Sequence, residues 1–292
     1  QAEDGIRDSS TSRGLGDVYK RQVFEMISTL QPSKRGEYEI TDLCNLYVNN
    51  KKCKNFSIDG WWIDAGTPER IIELEEKLAD YCEVKHAISC SSGTDALLIP
   101  LMAWGIGPGD AVFTTPFTYV ATAEVISILG ATPIFIDVYE STYNIDCEKL
   151  ETEINKVINE GELKPKAIIP VDLFGLPARY RLIDKIAKKY NLKVIEDAAQ
   201  SFGGSIRNKK VGTFGDVAAT SFYPAKPLGC YGDGGAIFTN DDDLAEECKA
   251  IRIHGTKEDK YNSEMIGLNG RLDLSLIHIS EPTRRRGISY AV

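Results

Sequence analysis

The 292 residues are 42% hydrophobic and 26% charged, with a formal net charge of −9; such a chain can bury a core but is too acidic for a general nucleic-acid binder. No apolar run approaches the roughly 20 residues a membrane-spanning helix needs, and no apolar stretch follows the early charges as a secretory leader requires. Seven cysteines (Cys44, Cys53, Cys82, Cys90, Cys147, Cys230, Cys248) without a C-x-x-C pair, beside three histidines, predict no metal site and fit reduced thiols packed as small hydrophobes in a cytoplasmic protein.

Residues 1–22 (QAEDGIRDSSTSRGLGDVYKRQ) are polar and carry no helical or strand periodicity. They resemble translated adaptor or vector sequence and are expected to be a non-native leader. Within residues 23–73, LQPSKRGEYEITDLCNLYVNN and GWWIDAGTPERI resemble the C-terminal part of sugar-1-phosphate nucleotidyltransferases. The resemblance implies that Asp64 matches a magnesium ligand of those enzymes. Their glycine-rich nucleotide loop and catalytic basic residues do not accompany it, and one carboxylate without a nucleotide site cannot organise phosphoryl chemistry. Residues 23–73 are therefore expected to be a stranded fragment, with a seam near Ile72 to Glu76.

From residue 74 to 273 the pattern becomes regular. Short apolar runs, HAISC (86–90), AVFTT (111–115), PIFIDV (133–138), KAIIPV (166–171) and KVIED (193–197), alternate with helical stretches such as 94–104, 118–129 and 179–190. This alternation predicts an α/β domain with a mostly parallel sheet between helices. Right-handed crossovers would then gather the loops that follow the strands along one sheet edge, where ligands of open α/β sheets bind.

Three of those loops carry candidate chemistry. Ser91-Ser92-Gly93-Thr94-Asp95 joins a strand to a helix through small residues. It reads as a phosphate-binding helix start or as an ordinary N-cap. Asp197 ends a buried strand, where an acid needs a cation or several donors; a helix N-cap is the other reading. Lys226 lies in TSFYPAKPLG, between the apolar runs VAATSFY and GGAIFTN. Partial desolvation in such a loop is one route by which an amine becomes a nucleophile near neutral pH; a lysine in a surface turn is the alternative.

In this order the motifs, above all EDAAQSFG and SFYPAKPLGCYGDGGAIFTND, resemble the DegT-type sugar aminotransferases over about residues 74–273. The resemblance implies the aspartate-aminotransferase-like fold, pyridoxal 5′-phosphate as cofactor and Lys226 as the lysine that condenses with its aldehyde. It implies further that Asp197 pairs with the pyridine nitrogen, Gln200 meets the ring hydroxyl and Tyr119 stacks on the ring. Gly93, Thr94, Asp95 and Ser221 would bind the phosphate, and Asn269 would reach the phosphate of a neighbouring subunit in a homodimer with shared active sites. The substrates implied are a keto nucleotide-sugar and an amino acid donor, L-glutamate by analogy, in amino-sugar or surface-polysaccharide synthesis. GCYGDGGAIFTND, PVDLFG and IRIHG look closest to enzymes acting on UDP-2-acetamido-2-deoxy-3-oxo-glucuronate.

Family members continue into a small C-terminal domain, expected to be largely missing here. Residues 274–292, with Arg284-Arg285-Arg286, are expected to be a non-native tail, and the chain as written to fold poorly because its faces lack their cover. Two readings compete with the aminotransferase. One is a nucleotidyltransferase fragment, which lacks its nucleotide loop. The other is a non-catalytic or regulatory relative of the same fold, against which the presence of Lys226 counts.

Overall fold

The computed structural model describes residues 68–272, apart from 231 and 258–260, with short pieces outside that span, among them 27–32, 63–64 and 276–277. The chain divides into two compact units, Gln1–Asp59 and Gly60–Val292. In the first, the described residues include a turn closed by the Leu30 N–H on the Ile27 carbonyl (3.1 Å). The expected leader 1–22, most of the fragment 23–73 and nearly all of the tail 274–292 lie outside the described residues. Asp64 falls in a two-residue strand, Ile63–Asp64, paired antiparallel with Leu276–Ile277.

In the second unit, helix α1 (Pro68–Cys82) runs unbroken through residues 72–76, where the sequence changes character. Leu74, Leu78 and Cys82 recur every four residues and form its buried stripe. Glu75 adds a polar tie: its carboxylate accepts the Ser89 N–H (2.8 Å) and hydroxyl (2.7 Å) and pairs with Arg252.

Seven strands follow: β1 (His86–Cys90), β2 (Asp110–Thr114), β3 (Thr132–Phe135), β4 (Lys164–Ile169), β5 (Lys193–Asp197), β6 (Val217–Ser221) and β7 (Gly235–Thr239). They lie in the order β1-β7-β6-β5-β4-β2-β3. All neighbours are parallel except those of β7, which is antiparallel to both β1 and β6. The mostly parallel sheet read from the sequence is thus present, with one reversed strand that the apolar runs did not announce. The reversal matters for position. Gly235, the first residue of β7, pairs with both Cys90 and Ser221, the last residues of β1 and β6. The link between β6 and β7 therefore sits at the edge where the parallel strands end.

Helices α2 (Gly93–Ala103), α3 (Ala121–Ile128) and α6 (Asp242–Arg252) cover one face of the sheet; α4 (Cys147–Glu160) and α5 (Tyr180–Tyr190), with α1, cover the other. Period-two alternation sorts the strand residues: Val112 joins the first face, Ala111 and Phe113 the second. Helix α2 (GTDALLIPLMA) is buried continuously from Ala96 to Leu101, as a helix apolar on every side must be. Each fully buried Leu, Ile or Phe of these layers contributes about 1.5–3 kcal/mol.

Element ends differ from the apolar runs for local reasons. KAIIPV extends past its strand because Pro170 has no N–H to continue a ladder. The helix expected from residue 118 starts at Ala121, leaving Thr118 and Tyr119 in the loop before it. Among the described residues, five cysteines are free and buried, and burial raises the Cys82 and Cys248 thiols to about 12. Among the described residues, no helix is long and apolar enough to cross a membrane.

Candidate active site

At the edge where the parallel strands end, a cavity of about 1510 Å³ opens. Seven of the nine residues singled out from sequence line it: Gly93, Thr94, Tyr119, Asp197, Gln200, Ser221 and Lys226. Asp95 and Asn269 do not. The Asp95 N–H is taken by the Ser92 side chain (3.0 Å) and its carboxylate by the Ser91 hydroxyl, so this residue completes the helix cap instead of facing the cavity. Asn269 bridges to Ile253 through its backbone and accepts a bond from Arg271 (2.9 Å).

The Ser91–Asp95 loop is an N-cap that leaves donors free at the cavity. Ser92 is the N-cap of α2, its hydroxyl serving Asp95 and its carbonyl serving Ala96 (3.0 Å). Among the described residues no bond takes the N–H groups of Gly93 and Thr94, which remain at the cavity wall for an anion. Gly93 is required by space and not by its backbone angle. A Cβ there would stand 2.6 Å from Ser221 Cβ, and one on Gly235 would stand 2.4 Å from the Ser92 carbonyl oxygen. These close approaches bring the ends of β1, β6 and β7 into one cradle. Gly93→Ala should cost about 1–3 kcal/mol through overpacking, and adding Ser221→Gly should recover most of it. Denaturant unfolding of the two single variants and the double variant checks both, and an additive cycle would sink the contact.

Opposite charge is demanded deeper in the cavity. Asp197, only 5% exposed, accepts the Thr122 hydroxyl on Oδ2 (2.9 Å) and the Ala199 N–H on Oδ1 (3.2 Å). Among the described residues no cation forms an ion pair with it. Burial raises its carboxyl above the ordinary range; the two donors, and the charge of Lys226, pull it only partly back. Sequence reading missed Thr122 and Thr118, whose hydroxyls are 3.0 Å apart and which continue the chain of bonds from Asp197 to the cavity rim. The available signal was the need of a buried acid for donors.

Lys226 rides on the link between β6 and β7. Its own N–H bonds the Tyr223 carbonyl (2.8 Å), and Phe222 closes the base by donating to Gly234 (2.8 Å) and accepting from Cys230 (2.7 Å). Gly229 is forced by crowding, since a Cβ would meet the Pro224 carbonyl oxygen at 2.5 Å. Tyr119 stands at the opening with 69% of its surface exposed, leaving its ring available for stacking. Gln200 has its carbonyl oxygen engaged by the Phe174 N–H (2.9 Å).

The cavity thus offers N–H and hydroxyl groups for a phosphate, a ring surface, a half-buried lysine and a buried acid that meets no cation among the described residues. A flat cofactor with a phosphate, a basic ring nitrogen and an electrophilic carbon fits that set. Among the described residues no group of three or more His, Cys, Asp or Glu side chains could hold a metal ion.

Comparison with known proteins agrees with this geometry. The profile of the DegT/DnrJ/EryC1/StrS aminotransferase family matches residues 48–275. The chain is similar to the UDP-2-acetamido-2-deoxy-3-oxo-D-glucuronate aminotransferase of Pseudomonas aeruginosa, 52% identical over 203 residues, which are 70% of this chain and 54% of that protein. It is also similar to a pleiotropic regulatory protein of Geobacillus stearothermophilus, 49% identical over 69% of this chain and 52% of that one. A crystal structure of a DegT DnrJ EryC1 StrS aminotransferase from Brucella abortus superposes with a TM-score of 0.70 at 51% identity, covering 79% of this chain and 58% of that chain. The chain spans about half the length of the curated relatives it matches.

Proposed function

The chain belongs to the DegT/DnrJ/EryC1/StrS aminotransferase family, and we propose that it carries the pyridoxal-phosphate site of an enzyme that moves an amino group from an amino acid to a keto nucleotide-sugar. The observation that carries this reading is one cavity lined by Lys226 and by a buried acid, Asp197, that pairs with no cation among the described residues. When bound, pyridoxal phosphate supplies an electron sink that stabilises a carbanion next to the transferred nitrogen. Asp197 would hold its ring nitrogen protonated, and Thr122 would keep that carboxylate aimed. Gly93, Thr94 and Ser221 would bind the phosphate, Tyr119 would cover one ring face, and the free amide nitrogen of Gln200 would meet the ring hydroxyl. Lys226 would anchor the cofactor and then, as a free amine, carry the proton between the substrate carbon and the cofactor.

The donor in this reading is L-glutamate and the acceptor a nucleotide-linked 3-keto sugar; the wording around PVDLFG and GCYGDGGAIFTND, and the likeness to the Pseudomonas aeruginosa protein, support that choice. The working unit is a homodimer in the cytoplasm. Asn269, which does not line its own chain's cavity, would serve the neighbour's phosphate. Residues 74–273 would form the cofactor domain. The test is direct: load the chain with pyridoxal phosphate, add L-glutamate and follow 2-oxoglutarate, then offer 3-keto and 4-keto nucleotide-sugars. Amination of the 3-keto sugar is expected. Failure to bind the cofactor would remove the reading altogether, and preference for a 4-keto sugar would remove the substrate assignment.

A further inference from the structure

Asp197 has acidic neighbours that the chemistry above does not use. Asp172 and Glu196 are both completely buried. Glu196 accepts the Gly212 N–H (3.1 Å to each oxygen) and the Phe214 N–H (2.8 Å). Asp172 accepts the Ala178 N–H (2.8 Å) and the Tyr180 hydroxyl (2.7 Å) on Oδ1, and the Ser201 hydroxyl (3.0 Å) on Oδ2. The two carboxyls share one neighbourhood: Val171 bridges to Asp197, and the rings of Tyr180 and Phe214, whose hydroxyl and N–H the two acids accept, stack with centroids 4.6 Å apart. Two ionised carboxylates have only acceptors to offer each other and repel, so side by side and out of water they favour keeping one proton between them.

We propose that Asp172 and Glu196 hold one shared proton, resting on Glu196, and that this carboxyl–carboxylate pair positions Asp197 and Gln200 for the cofactor. The connections are short. The Asp172 N–H donates to the Asp197 carbonyl (3.1 Å). Its carboxylate fixes Ser201, the residue after Gln200, and fixes Ala178 and Tyr180 beyond the turn that carries Phe174. The Phe174 N–H in turn engages Gln200. Three accepted bonds favour the charge on Asp172 over Glu196, and the proton parked on Glu196 limits the pair to one buried negative charge.

Burial raises both carboxyls, Asp172 to about 6 and Glu196 well above its ordinary value. The titratable groups facing the pair are Tyr180 from α5, Cys82 from α1 and Asp197 on β5 itself; burial keeps the phenol and the thiol protonated. Folded-state values above the unfolded ones mean that stability is fully present below the ordinary carboxylate range. It is lost as pH rises, through about 6 for Asp172 and onward through the higher value of Glu196. Glu196→Gln keeps a donor for Asp172 and an acceptor for the loop but does not titrate.

The experiment uses the cofactor-free chain with the δ-carboxyl carbon of glutamate labelled for NMR. One glutamate resonance should keep a protonated-carboxyl shift at pH 7, disappear in Glu196→Gln, and be accompanied by a thermal stability that falls less steeply above pH 6 in the variant than in the parent. Absence of that resonance in the parent chain overturns the shared proton, whether or not the variant folds. The positioning role rests on the pyridoxal-phosphate reading and has its own readout. Asp172→Asn should weaken cofactor binding about tenfold, the loss of roughly one charged hydrogen bond, while Glu196→Gln should lose less than threefold. Equal effects of the two would overturn positioning. Failure of every form to bind pyridoxal phosphate would instead sink the function proposed above and leave the NMR result standing.

Discussion

Lys226→Ala should leave a chain as stable as the parent and unable to retain its cofactor. The side chain is half-buried, and among the described residues no hydrogen bond holds its amine. The loop is closed by backbone bonds of Phe222, Tyr223 and Cys230 instead. Substitutions away from packed or bonded features stay within about 0.5 kcal/mol, so a chemical loss will not be confused with unfolding. Transamination by the assembled enzyme should fall about 10⁴-fold, the upper end of what one proton-transferring side chain contributes. Borohydride treatment should add the mass of reduced pyridoxal phosphate to the parent chain and nothing to the variant. Covalent trapping in the variant would move the role to another lysine.

Asp197→Asn should separate stability from function in opposite directions. Burial holds the Asp197 carboxyl above its ordinary range. Its ionisation therefore costs the cofactor-free fold: stability is fully present below the ordinary carboxylate value and is lost as pH rises through the raised folded one. Asparagine removes that loss. Its amide can donate to Thr122, whose hydroxyl then turns toward Thr118, so no polar group is orphaned. At pH 7 the cofactor-free variant should be more stable than the parent by about 1 kcal/mol, as when a site is relieved of strain kept for function. With a pyridinium nitrogen to face, the variant leaves a buried cation unpaired. Breaking such a pair costs about 3–5 kcal/mol, so cofactor affinity should fall by at least a hundredfold. Calorimetry of the two cofactor-free chains, followed by titration with pyridoxal phosphate, reads both signs. A variant less stable than the parent would show that the carboxylate has a partner other than the cofactor.

What the sequence disclosed about the site was local. The lysine loop and the strand-ending acid stood out because small and cyclic residues around Lys226, and an acid closing a β-branched run at Asp197, are unusual in short windows. The short apolar runs likewise located the strands to within a few residues, five in the alternating pattern and two as VAATSFY and GGAIFTN on either side of Lys226. Features made by distant contacts stayed hidden. Asp95 looked like part of the anion cradle, but Ser91 and Ser92 engage it instead. Asp172, in PVDLFG, and Glu196, in KVIED, looked like parts of recognition motifs; that they meet follows only from the pairing of β4 with β5. Helix α1 crosses the change in sequence character at residues 72–76 because its stripe, Leu74, Leu78 and Cys82, is defined by what it packs against.

The reversed strand β7 also fixes when the cavity can exist. Among the described residues β1 lies at the sheet margin with β7 as its single neighbour, and on the ribosome β1 emerges long before that neighbour. Until Gly235–Thr239 has been synthesised, β1 has no ladder, Gly93 has no Ser221 to rest against, and the amine and the acid have no common wall. Vectorial synthesis therefore yields a nascent chain with helices and a partial sheet but no cofactor pocket, and closure awaits contacts of large sequence separation, which form slowly. Cofactor capture is thus a late event in the life of the nascent polypeptide.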